Sequence, residues 1–170
     1  MAPGTVDNGQ TVTMQIGWLA VATIGLGAAL LTLAWIDWRT RLLPDILTLP
    51  LGAAGFLVTW LAEPTVVVDH LIGAAAGFGV LSALSYVYLL ARRRDGLGGG
   101  DAKLLGAIGA WVGWQGLPTV MLYAAMGGLA WALIGALRGR SLRLDARLPF
   151  GPWLCLGGWL VWLYGPLVPG

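Results

Sequence analysis

The chain has 170 residues, of which 58% are apolar and only 11% charged, with a mean hydropathy of +0.78. A soluble domain carries about a quarter charged residues, so the composition excludes one and places the chain in lipid. The net charge of +2 and a pI near 9 reflect membrane topology and attraction to anionic headgroups, with no sign of nucleic-acid binding.

Residues 1–14 read as a polar tail: Met1 to Thr13 has no Lys or Arg and so lacks the basic start of a secretory signal. Residues 15–170 read as one membrane-embedded domain. Runs of about 20 apolar residues cross a bilayer as helices, because irregular backbone cannot face hydrocarbon. Six spans are predicted, at 15–37, 44–62, 69–91, 101–115, 117–137 and 150–168, the fourth of them short. The fold class is therefore all-α, a polytopic bundle of six transmembrane helices. Glycines inside the spans, such as Gly73, Gly77, Gly127 and Gly128, favour close helix packing. The single cysteine, Cys155, lies in the last span and excludes a disulfide framework or a cysteine zinc site.

Charge supports this count. With six spans, all ten basic residues (Arg39, Arg41, Arg92, Arg93, Arg94, Lys103, Arg138, Arg140, Arg143 and Arg147) fall on one face. By the positive-inside rule that face is cytoplasmic, and both termini lie outside. The other face carries Asp7, Glu63, Asp69 and His70, and a lone His beside one acid falls short of a metal site. Trp18, Trp35, Trp38, Trp60 and Trp114, near span ends, read as interfacial belt residues.

Two acids at span ends on the basic face are the leading catalytic candidates. Asp37 sits near the C-terminal end of its helix, where the macrodipole disfavours an anion, unless Arg41 one turn onward compensates it. Asp101 follows Gly98-Gly99-Gly100 and precedes an apolar run, so it could equally serve as an N-cap. Pro44-Asp45 has the ordinary pattern of a helix start. Lys103 is two residues beyond Asp101, off its helix face, and is expected to reach the headgroups. Pro149-Phe150-Gly151-Pro152 predicts a rigid turn at the mouth of the last span.

The segment from Asp37 through Leu42-Leu43-Pro44-Asp45 to Leu51 resembles the first signature of the type IV prepilin peptidases. Gly98-Gly99-Gly100-Asp101 with its flanks is similar to the Gly-x-Gly-Asp motif of that family, and Pro149 to Trp153 is similar to the stretch that opens its last span. The three run in family order across nearly the whole chain. The resemblance implies an aspartic endopeptidase of the bacterial inner membrane with Asp37 and Asp101 as its catalytic pair. It further implies that Gly98, Gly100, Lys103, Asp45 and Pro44 support the site or bind substrate. The implied partners are type IV prepilins or pseudopilins, including those of secretion systems, cut just before their hydrophobic helix, together with membrane lipids. Two adjacent carboxyls sharing a proton can activate a water and protonate the leaving amine, so no metal and no cofactor are expected.

Longer family members also methylate the new N-terminus through a region with two Cys-x-x-Cys pairs; with one cysteine, a peptidase-only form is expected. Gly99 stands where many members have Tyr, and Gly99→Ala is expected to be tolerated better than Gly100→Ala if only the latter position approaches substrate closely. Other readings are a signal-peptide-peptidase-like protease cutting within the bilayer, a transporter using the acids as cation ligands, and an assembly subunit in which they are helix caps. The sequence leaves the identity of the pilin and the oligomeric state open.

Overall fold

The computed structural model describes residues 8–92, 98–138 and 150–167. These form α1 (Asn8–Thr40), α2 (Asp45–Ala62), a single 3-10 turn (Pro64–Val66), α3 (Val67–Arg92), α4 (Gly99–Leu137) and α5 (Gly151–Tyr164). The architecture is all-α, with no strand among the described residues. Residues 1–7, Arg93, Arg94, Arg140, Arg143, Arg147, Pro149 and the Gly96-Leu97 start of the second signature lie outside the described residues.

Four helical stretches are long and apolar enough to cross a membrane: Gly17–Thr40, Asp45–Ala62, Pro64–Leu90 and Gly99–Leu137. The chain is a multi-pass membrane protein. Three boundaries differ from the sequence reading. α1 begins at Asn8, inside the stretch expected to be a polar tail, because extending a nucleated helix through polar residues costs little. The helix expected over 150–168 stops at Tyr164, where Gly165 turns at φ 80°. Its 14 residues span about 21 Å, short of the roughly 30 Å of bilayer hydrocarbon.

The third difference concerns α4, which runs through the expected fourth and fifth spans as one 39-residue element. A straight helix of that length would reach about 58 Å, twice the hydrocarbon thickness. Gly113 breaks it, with φ 70° and ψ 177°, a region open essentially to glycine alone. Contacts with α5 give the direction of each half. Gly127 meets Trp153, Gly157 meets the Val120 carbonyl and Gly116 meets Val161, so the second half runs antiparallel to α5. Gly158 meets Ile108 and Trp162 stacks edge-on against Trp111, so the first half runs parallel to it. The chain doubles back at Gly113.

The first half of α4 forms the centre of the bundle. Leu104, Leu105, Ile108 and Ala110 are fully buried, together with Leu33 of α1, Leu81 of α3 and Leu154 of α5. Lipid tails are as apolar as leucine, so close backbone approach rather than hydrophobicity must hold such helices together. A Cβ on Gly73 would lie 2.6 Å from the Gly109 carbonyl oxygen, and one on Gly77 would lie 2.6 Å from that of Leu105. α3 and α4 therefore touch backbone to backbone.

Candidate active site

Asp37 belongs to the last turn of α1 and is 5% exposed, among the few buried polar side chains of the bundle. The chain then reverses through a short connection in which Arg41 takes φ 55°, the one non-glycine residue with positive φ among the described residues. The Arg41 N–H donates to the Asp37 carbonyl at 2.8 Å, closing the helix. This left-handed cap costs about 1 kcal/mol in a residue with a side chain, and it returns the chain at once to Pro44, the N-cap of α2.

Against the Asp37 carboxyl stands the first turn of α5. A Cβ on Gly151 would sit 2.6 Å from Asp37 Oδ2 and 2.8 Å from Cγ, so position 151 has no room for a side chain. The Gly151 amide approaches this carboxyl, yet Oδ2 has no hydrogen-bond partner among the described residues. Asp101 lies in the first turn of α4 and is half-buried. The N-cap is Gly98, whose carbonyl accepts the Asp101 N–H at 3.0 Å; Asp101 sits three residues inside, where the positive helix end favours an anion. The two carboxyls interact electrostatically, and both act on Cys155, one turn past Gly151. The structure thus brings Asp37 and Asp101 to the same end of the bundle, around the start of α5.

The supporting residues divide. Pro44 is half-buried as the α2 cap. Lys103 reaches across to α2. Its ammonium holds the Asp45 carboxylate with both oxygens, at 2.6 and 2.8 Å, and so ties the start of α2 to the start of α4. The side chains are 41% and 53% exposed, so the pair aligns two helices more than it stabilises them. A Cβ on Gly100 would come 2.9 Å from Leu43 Cβ, whereas one on Gly99 would meet nothing within 4 Å. The close approach at position 100 is therefore to the α1–α2 connection. Gly98 leaves 3.6 Å between its would-be Cβ and Asp101 Oδ2. The sequence pointed to Gly151 only as part of a Pro-Phe-Gly-Pro turn; its contact with Asp37 joins residues more than a hundred positions apart.

Residues 24–133 match the type IV leader peptidase family, a stretch that holds both aspartates. The chain belongs to that family. Among relatives, a "Prepilin leader peptidase/N-methyltransferase" of Burkholderia pseudomallei (strain 1026b) is 41% identical over 165 residues, covering 97% of this chain and 53% of the relative. One from Escherichia coli (strain K12) is 44% identical over 138 residues, covering 78% and 60% respectively. That of Pseudomonas aeruginosa PAO1 is 37% identical over 150 residues, covering 87% and 51%. The chain spans about half the length of most of these leader peptidases. No solved structure matches.

Proposed function

We propose that this chain is an aspartic endopeptidase that removes the leader from type IV prepilins or pseudopilins at the cytoplasmic face of the inner membrane. The observation that carries the reading is the buried Asp37 carboxyl, with one oxygen unpartnered among the described residues, at the end of the bundle that also carries Asp101. A buried, unsatisfied carboxylate oxygen costs roughly 1–3 kcal/mol or more, and a bundle keeps such a group for a task. In the mechanism, one carboxylate takes a proton from a water, which attacks the scissile carbonyl. The other, protonated carboxyl donates to the carbonyl oxygen; the first, now carrying the water's proton, gives it to the leaving amine as the second recovers its own from the collapsing gem-diol.

The six-span topology with both termini outside belongs to this proposal. It is supported by the reversal at Gly113, which turns one long helix into two membrane-length halves, and by the single-sided basic residues. It lets the acids meet a leader retained in the cytoplasm. Peptidase activity without methyl transfer is part of the same reading. The test is purified protein in detergent with a prepilin carrying its leader, the product mapped by mass spectrometry with and without S-adenosylmethionine. A product starting at the first residue of the hydrophobic helix, unmethylated, supports the proposal; an intact substrate refutes it.

A further inference from the structure

A cavity of about 300 Å³ opens between α1 and α5. Its walls are Leu30 and Ala34 of α1 and Pro152 and Leu156 of α5, and its far end is closed by Trp159, whose ring lies over Gly27 within 2.7 Å of a would-be Cβ. The near end is part of the acid site: Pro152 follows Gly151, which abuts the Asp37 carboxyl, and Ala34 is one helical turn from Asp37. The lining is apolar throughout, and Leu31 on its rim is 74% exposed.

We propose that this groove receives the first turns of the substrate's hydrophobic helix, a specificity subsite that rests on the protease reading above. A peptide whose scissile carbonyl lies at Asp37 must lead its next residues away from the acids, and the groove starts there and runs along α1. Two turns of a helix about 10 Å wide fill roughly 800 Å³, so the cavity admits the side chains of one face and not the whole helix. Recognition is then helix-in-groove, with apolar anchors at a spacing of three or four residues. A substrate helix rises as fast as α1, and Ala34 and Gly27 lie three and ten residues from Asp37. The contacting residues are therefore those about three to ten places past the cut.

Two measurements test this. First, cleavage of a full prepilin is compared with that of a peptide truncated two residues past the cut. The wild-type protein favours the full substrate, and Ala34→Phe or Leu156→Trp lowers the ratio of the two kcat/KM values about tenfold, the effect of one lost anchor. Leu129→Trp, on the lipid-facing side of α4 and itself 71% exposed, leaves the ratio unchanged. Second, Leu31→Cys in a Cys155→Ala, Asp37→Asn background is oxidised with prepilins bearing single cysteines along the helix. Crosslinking peaks near the sixth residue past the cut, and Leu129→Cys gives no peak.

An unchanged ratio, equal crosslinking at both positions, a disulfide between two copies, or labelling by a photoactivatable lipid that substrate does not compete away each overturns the groove while leaving the protease reading intact. Failure of the wild-type protein to cut either substrate overturns both.

Discussion

The two ends of the bundle treat polar groups in opposite ways. At the Gly113 end His70 and Asp69 both have partners. His70 Nδ1 lies 2.9 Å from the Ala110 carbonyl and 3.2 Å from Thr59 Oγ1. A carbonyl can only accept, so Nδ1 carries the hydrogen and caps a helix end whose i+4 donors the break disturbs. Asp69 accepts from Trp114 at 3.2 Å and from Gln115 at 3.4 Å. At the other end Asp37 is more deeply buried than any of these acids and bases, yet keeps an oxygen without a partner among the described residues. Satisfied polar groups hold a helix reversal; the proposed chemistry belongs to the unsatisfied one, at the end that also carries Asp101.

The largest expected break is at the acids themselves. Asp37→Asn and Asp101→Asn each keep shape and remove the acid–base function, so prepilin cleavage falls by at least about 10³-fold while circular dichroism and detergent elution stay unchanged. Gly151→Ala puts a methyl group where the Asp37 carboxyl lies. Moving that turn by the better part of an ångström is expected to lower kcat/KM about 10²-fold. At the opposite end the signs separate: His70→Ala leaves the Ala110 carbonyl without its cap, lowering thermal stability by about 1–3 kcal/mol, with kcat unaffected. A loss of kcat there as large as that of Gly151→Ala would erase the contrast between the ends.

Smaller changes sharpen it. Gly100→Ala must displace Leu43 and is expected to cost about 1–3 kcal/mol, whereas Gly99→Ala, with open space around it, stays within about 0.5 kcal/mol. Heating followed by size-exclusion chromatography compares the pair. Lys103→Met removes a half-exposed ion pair and costs about 0.2–1 kcal/mol, read by the same assay as a shift that shrinks in high salt.

Much of this was legible in the residues. Apolar runs located α1, α2 and α3, and the two signatures singled out Asp37 and Asp101, because helix-length hydrophobicity and acids at span ends are local properties. The contacts around those acids were not legible. Nothing in the spacing says that Lys103 reaches Asp45 or that Gly100 backs onto Leu43, since each pair is set by how two helices cross. The break in α4 was expected near residue 116 and falls at Gly113, because Gln115 and Gly116 are as polar and small as a loop requires while only the backbone torsion reveals the turn. The short α5 was overestimated for a similar reason: Leu167 is as apolar as the helix, but Gly165 has already turned the chain, and Thr119 Oγ1 accepts the Leu167 N–H at 3.2 Å.

The glycine seam between α3 and α4 has one more consequence. Because main chain rests directly on main chain at Gly73, Gly77 and Gly109, no rotamer can absorb an added methyl group; the whole rod must slide. Asp101 rides at the tip of that rod, so a lesion two helical turns away, facing only its neighbour, would reach catalysis as a shift of the acid. Random mutagenesis scored for lost cleavage of the proposed prepilin substrate is therefore expected to return hits deep in the apolar seam that mimic substitution of Asp101 itself.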